Sequence, residues 1–124
     1  MSKTYGPYSP FRVANGFVYT SGQIGAVKGK AEPDVRSQVA QALNNLREVL
    51  KEAGSGLDLV VKTTVFLTDM SHYAPLNEVY AEAFEKAGSA PARTCVAVVE
   101  LPRVADHPLL VEIEAVALLR EYKK

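Results

Sequence analysis

Two stretches of this 124-residue chain are apolar on both of their alternating sides, and the chain has only two helices with which to cover them. Leu59 to Leu67 and Leu109 to Leu119 read as strands from their β-branched, apolar content and the turn residues that bound them. A strand turns successive side chains to opposite faces, so a sheet built on these two runs needs cover on both sides. The amphipathic stripes available are Val35, Val39, Leu43, Leu46, Leu50 and Ala53 in one helix, and Leu76, Val79, Tyr80, Ala83, Phe84 and Ala87 in the other. Two helices cover one face. The second face is then an apolar patch larger than a monomer tolerates in water, so the chain is expected to self-associate.

The remaining elements fall in the order ββαβαββ. Asn15-Gly16 between Phe11–Ala14 and Phe17–Ser21 marks a hairpin, because that pair supplies the positive φ values of a type I′ turn. Gly22 and Gly25 then mark a bend where backbone comes close to something else. Lys28 to Glu32 reads as a solvated loop. Pro33-Asp34 opens the first helix with Asp34 as N-cap, and Gly54 closes it. The second helix is expected to start near Pro75 and to stop at Gly88. Thr94 to Leu101, set between Pro91 and Pro102, reads as a buried strand, and Arg103 to Pro108 as a loop. Lys123 and Lys124 are expected to fray.

Totals exclude several classes. The chain fits one domain, residues 1–124. Lysine plus arginine and aspartate plus glutamate number 14 each, which argues against a strong nucleic-acid field. One cysteine permits no internal disulfide, as expected of a reducing, cytoplasmic setting. The first residues carry no apolar leader and no run reaches bilayer length, so no membrane partner is expected. His72 and His107 have no ligand spacing around them, so no metal site is predicted.

Arg93 is the residue that most needs an explanation. A guanidinium at the mouth of an apolar strand stays charged and requires a partner. Glu112 and Glu114 lie at strand spacing on one face of the last strand, with Val116 and Leu118. Arg93 either pairs permanently with one of them or keeps its fork for a carboxylate that comes and goes. Cys95 shares a side of its strand with Arg93 and reads by itself as a small buried hydrophobe. Asn77 lies off its helix's apolar stripe. Tyr8 sits in the rigid turn Gly6-Pro7-Tyr8-Ser9-Pro10. Ser21 has no base or orienting acid beside it and is not a serine nucleophile.

Six stretches together resemble the RidA/YjgF reactive-intermediate deaminases, also called endoribonuclease L-PSP. They are Gly6-Pro7-Tyr8-Ser9, Thr20-Ser21-Gly22-Gln23-Ile24, Val61 to Leu67, Asn77-Glu78-Val79-Tyr80, Pro91-Ala92-Arg93-Thr94-Cys95-Val96, and Val111-Glu112-Ile113-Glu114-Ala115. Each piece alone is weak; the ordered set, spanning nearly the whole chain, is specific. The resemblance implies an α+β, chorismate-mutase-like fold: a mixed β-sheet with two helices on one face, in a homotrimer with a central β-barrel and sites between subunits. It implies hydrolysis of reactive enamines and imines such as 2-aminoacrylate and 2-iminobutanoate to 2-keto acids and ammonia, with no cofactor. Arg93 would clamp the substrate carboxylate, Glu112 would activate water, and Tyr8 would close the pocket from the neighbouring subunit. Ser21, Gly22, Asn77 and the backbone around Cys95 would bind substrate. The alternatives left open are a module that binds 2-keto acids without turnover, and a ribonuclease or translation inhibitor. Departures from the family pattern, at Gly25, at Pro10-Phe11 and in the loop carrying His107, border the expected cleft and bear on substrate range.

Overall fold

The computed structural model describes residues 4–120. β1 (Phe11–Ala14) and β2 (Phe17–Thr20) form the expected hairpin, with Asn15 at φ 50° and Gly16 at φ 82°. Three short strands follow: β3 (Gln23–Ile24), β4 (Ala26–Val27) and β5 (Lys30–Ala31). Then come α1 (Val35–Ala53), β6 (Val60–Leu67), α2 (Tyr73–Ala87), β7 (Ala92–Ala97) and β8 (Val111–Leu118). The main sheet runs β1-β2-β8-β6-β7, with β3 also beside β8. β6 and β7 are parallel and joined through α2; the other pairs of this sheet are antiparallel. The fold is therefore α+β with a mixed sheet, as expected.

Both helices lie on one side of the sheet. Val18, Val65, Leu67, Val111, Ile113, Ala115 and Ala117 point from the strands into a core completed by Val39, Leu43, Leu46 and Leu50 of α1 and Leu76, Tyr80 and Phe84 of α2. Asp34 caps α1, its carboxylate accepting the Ser37 N–H at 3.0 Å. Gly54 ends the helix at φ 88°, and the Ser55 N–H reaches back to the Leu50 carbonyl at 2.7 Å.

Among the described residues, no helix covers the opposite side of the sheet. In register across it stand Phe17 beside Leu118, Tyr19 beside Val116, Thr64 beside Glu114, and Phe66 beside Glu112 and Val96. Tyr19 is 47% exposed and Val96 40%.

Several expectations are corrected. Lys28 to Glu32 is no simple loop: β4 and β5 pair across Lys28 (φ 52°) and Gly29 (φ 78°), and Ala31 is buried. Two positive φ values make a tight turn there, as at Asn15-Gly16, but no alternating pattern flanks it in sequence. The run Thr94 to Leu101 is not a buried strand. Pairing ends at Ala97, β7 is an outer strand with mostly exposed side chains, and Val99 is 99% exposed. A β-branched run looks the same whether its own chain or another surface covers it. α2 begins at Tyr73 rather than near Pro75, because a 3₁₀ turn at Met70–His72 leads into it. The tail Lys123-Lys124 lies outside the described residues.

Gln38 escaped the sequence pattern. It sits on the inner face of α1 and is fully buried. Its amide donates to the Glu32 and Pro108 carbonyls at 2.7 and 3.0 Å and accepts the Leu110 N–H at 2.8 Å. The start of β8 is thereby fastened to α1. Gly25 has to be glycine for a related reason, since a Cβ there would meet the Gln38 backbone at 2.5 Å.

Candidate functional site

The chemistry-bearing residues gather in two separate places. The first is built on β8 and β3. Ile24 lies beside Glu112, and the chain enters β3 through Gly22. A Cβ on Gly22 would overlap the Glu112 carboxylate, so glycine is what lets that carboxyl fold over the backbone. Ser21 donates its hydroxyl to the Ser9 carbonyl at 2.6 Å, and its N–H to that of Pro10 at 3.0 Å. These bonds fasten the segment carrying Tyr8 to the end of β2. The Tyr8 N–H closes a turn on the Gly6 carbonyl at 2.9 Å, while its hydroxyl accepts the Tyr5 N–H at 3.3 Å. Tyr5, Tyr8, Ser21, Gly22, Ile24, Pro102, Val104 and Glu112 together line a cavity of about 340 Å³.

Glu112 is half-buried, and burial pushes its carboxyl above the usual carboxylate range, with the nearby charge of Glu114 adding to the effect. A carboxyl so placed exchanges a proton more readily near neutrality than an ordinary glutamate. Above it, the loop from Arg103 to Pro108 is pinned rather than loose. The Asp106 carboxylate accepts the Ala31 N–H at 2.9 Å, the Asp106 N–H reaches the Gly29 carbonyl at 2.9 Å, and His107 Nδ1 lies 2.8 Å from the Ala31 carbonyl.

The second place is built on β7 and α2. Arg93 lies level with Thr63 of β6 and turns toward the helices. Tyr73, Asn77 and Tyr80 recur at helical spacing on the side of α2 that meets it. Arg93 Nη2 donates to the Tyr73 hydroxyl at 3.0 Å. Its Cζ stands 5.4 Å from the Tyr73 ring centroid and 4.9 Å from that of Tyr80. Tyr80 is itself locked by a buried 2.6 Å hydrogen bond to Thr63 Oγ1. Among the described residues no carboxylate pairs with Arg93, so of the two sequence alternatives the permanent ion pair with Glu112 or Glu114 is not the one found. Asn77, Tyr80, Glu85, Ser89 and Arg93 are among the residues lining an open recess of about 460 Å³. Cys95 faces the same side and packs against the core. Burial pushes its thiol pKa up and the Arg93 charge opposes this only in part, which disfavours the thiolate.

The sheet itself separates the two places. Arg93 is on the helix side, level with Thr63 and Ala115; Glu112 is on the open side, level with Phe66 and Val96. They are two strands and three residues apart, and three residues alone span about 10 Å. One chain cannot bring both to a molecule of three or four carbons. Tyr8, expected across a subunit boundary from Glu112, lines the same cavity of the same chain. Tyr5, Pro102, Val104 and Tyr73 were not picked out from the sequence. For Tyr73 the i, i+4, i+7 spacing with Asn77 and Tyr80 was the available signal.

A family model for endoribonuclease L-PSP matches residues 2–119. The chain belongs to that family. A RutC family protein from Synechocystis is 47% identical over 118 residues, covering 92% of this chain and 87% of the relative. A mouse relative described as 2-iminobutanoate/2-iminopropanoate deaminase is 43% identical over 116 residues, covering 91% and 82%. Among solved structures, Escherichia coli TdcF with bound serine superimposes at a TM-score of 0.86 with 35% identity, covering 93% of this chain and 90% of that one. As for membranes, no described helix of this member is long and apolar enough to cross one.

Proposed function

We propose that this chain hydrolyses small 2-imino acids and their enamine tautomers to 2-keto acids and ammonia. The observation that carries the reading is Glu112: a half-buried carboxyl of raised pKa, folded over Gly22 in a cavity shared with Tyr8 and Ser21. The mouse relative's description supports it, as does Arg93, with which no carboxylate pairs among the described residues. Because one chain cannot offer Arg93 and Glu112 to the same molecule, the site is read as shared between copies. Glu112, Tyr8, Ser21 and Gly22 come from one protomer, and Arg93 with Asn77 from the next, in a trimer whose open sheet faces cover one another.

In this reading the guanidinium binds the substrate carboxylate through two parallel hydrogen bonds. Glu112 takes a proton from water as its oxygen bonds to the imine carbon, and passes that proton to the imine nitrogen. The resulting carbinolamine then collapses. Glu112 takes its hydroxyl proton, the C–N bond breaks, and that proton is handed to the departing nitrogen, which leaves as ammonia. The imine is already electrophilic, so positioning acid, water and carboxyl supplies most of the acceleration, an effect that reaches several kcal/mol.

The test is a coupled assay in which 2-iminobutanoate is generated in situ and 2-ketobutyrate release is followed, run beside an equilibrium binding measurement with 2-ketobutyrate. Arg93→Ala is expected to lose both turnover and binding while sedimenting as the wild type does. Arg93→Lys keeps the charge but loses one of the paired bonds, worth about 1.5–3 kcal/mol, so kcat/KM is expected to fall roughly 10- to 150-fold. Full activity in Arg93→Ala refutes the clamp. Wild-type protein that binds the keto acid but never turns over the imine makes the chain a binding module instead.

A further inference from the structure

We infer that Tyr73 is a positioning residue that decides which edge of the Arg93 guanidinium is offered to a carboxylate; the inference rests on reading Arg93 as the clamp. A guanidinium has two edges able to make paired hydrogen bonds: the end formed by Nη1 and Nη2, and the side formed by Nε and Nη2. Each edge uses one of the two Nη2 hydrogens. The Tyr73 hydroxyl accepts one of them at 3.0 Å. Whichever Nη2 hydrogen is engaged, that bond closes one paired edge and leaves the other free of it.

The surrounding geometry makes Tyr73 the deciding partner. Tyr80 supports the guanidinium from its ring, 4.9 Å away, but its own hydroxyl is committed to Thr63 at 2.6 Å. Tyr80 therefore fixes where the guanidinium lies and offers no acceptor to set its rotation within the plane. Tyr73 offers both a ring, at 5.4 Å, and an acceptor. Its own placement is fixed by the turn ahead of α2, where the Asp69 carboxylate accepts the Ser71 N–H at 2.8 Å and the Asp69 carbonyl accepts the His72 N–H at 3.0 Å. Tyr73 is 42% exposed and is not part of the packed core, so replacing it leaves the core contacts in place.

Tyr73→Phe keeps the ring and removes the acceptor. The guanidinium then loses its fixed orientation, so the free protein holds the binding-competent arrangement less of the time. KM for 2-iminobutanoate and Kd for 2-ketobutyrate are expected to rise together, about three- to tenfold, the loss of one such hydrogen bond. Turnover at saturation is expected to stay within about twofold, since the bond acts on substrate and transition state alike. Tyr73→Leu, which also removes the ring, is expected to raise both constants further. A readout independent of turnover is the NMR spectrum of the Arg93 guanidinium: separate, slowly exchanging Nη protons in the wild type, merged by faster rotation in Tyr73→Phe. If KM, Kd and the guanidinium signals of Tyr73→Phe all match an active wild type, the role of Tyr73 is overturned while the clamp stands. If the wild type itself neither binds 2-ketobutyrate nor hydrolyses the imine, the clamp falls and the role of Tyr73 with it.

Discussion

Replacing Gln38 by leucine is expected to destabilise the protein although it puts a hydrophobe into the core. Gln38 makes three hydrogen bonds of 2.7, 3.0 and 2.8 Å with no exposure to water. At about 1 kcal/mol each, their loss removes roughly 3 kcal/mol. The Glu32 and Pro108 carbonyls belong to exposed residues and recover water, whereas the Leu110 N–H belongs to a half-buried one and recovers less, adding about 1 kcal/mol. The slightly smaller leucine returns roughly 2 kcal/mol by burying its methyl groups. A net loss of about 2 kcal/mol lowers the thermal midpoint by roughly 8 °C in a chain of this length. Gln38→Glu sharpens the test. Its carboxyl would face two carbonyls in a dry site, so the native state would hold the proton to higher pH than the unfolded chain. Stability is then greatest in acid and falls as pH rises through the native pKa. The measurement is the midpoint against pH for wild type and both variants at one protomer concentration, because association also moves the midpoint. A Gln38→Leu midpoint equal to or above the wild type's, with no acid-side recovery in Gln38→Glu, would refute the account of Gln38 as the fastener of β8.

Glu112→Gln is expected to abolish imine hydrolysis and yet stabilise the fold at neutral and alkaline pH. Burial and Glu114 raise the native pKa of Glu112 above its unfolded value, so the wild type loses stability as pH rises through that pKa; comparing the two midpoints across pH checks this. Gly22→Ala and Gly25→Ala separate function from folding. The first collides with a side-chain carboxylate and should lower turnover at least tenfold at little cost in stability; the second collides with helix backbone and should cost about 1–3 kcal/mol, read by urea denaturation. Val96→Glu, on the open face in line with Phe66, is expected to shift sedimentation from an assembly to a monomer and to abolish activity, since each site draws on two copies. A monomeric wild type at micromolar concentration would sink that arrangement.

Much of the fold was legible because its signals are local. Asn15-Gly16 writes its own turn, Asp34 and Gly54 bracket α1, and the stripes of both helices follow from 3.6-residue spacing. The uncovered sheet face was legible too, by counting two helices against strands apolar on both sides. The side chains themselves could be named in sequence, since Arg93, Glu112, Tyr8, Ser21 and Asn77 stand in a recognisable ordered pattern. Their grouping could not. Which residues share a cavity depends on strand order and register, and the pairing of β6 with both β7 and β8 is what sets Arg93 and Glu112 on opposite faces. The bonds of Gln38 and Tyr73 are equally invisible in sequence, because a glutamine among valines and a tyrosine at the start of a helix gain partners only from residues 6 to 72 positions away. Short-range periodicity and turn chemistry are encoded by neighbours along the chain. The convergence of donors and acceptors is encoded by packing, and only the folded sheet and its helices decide it.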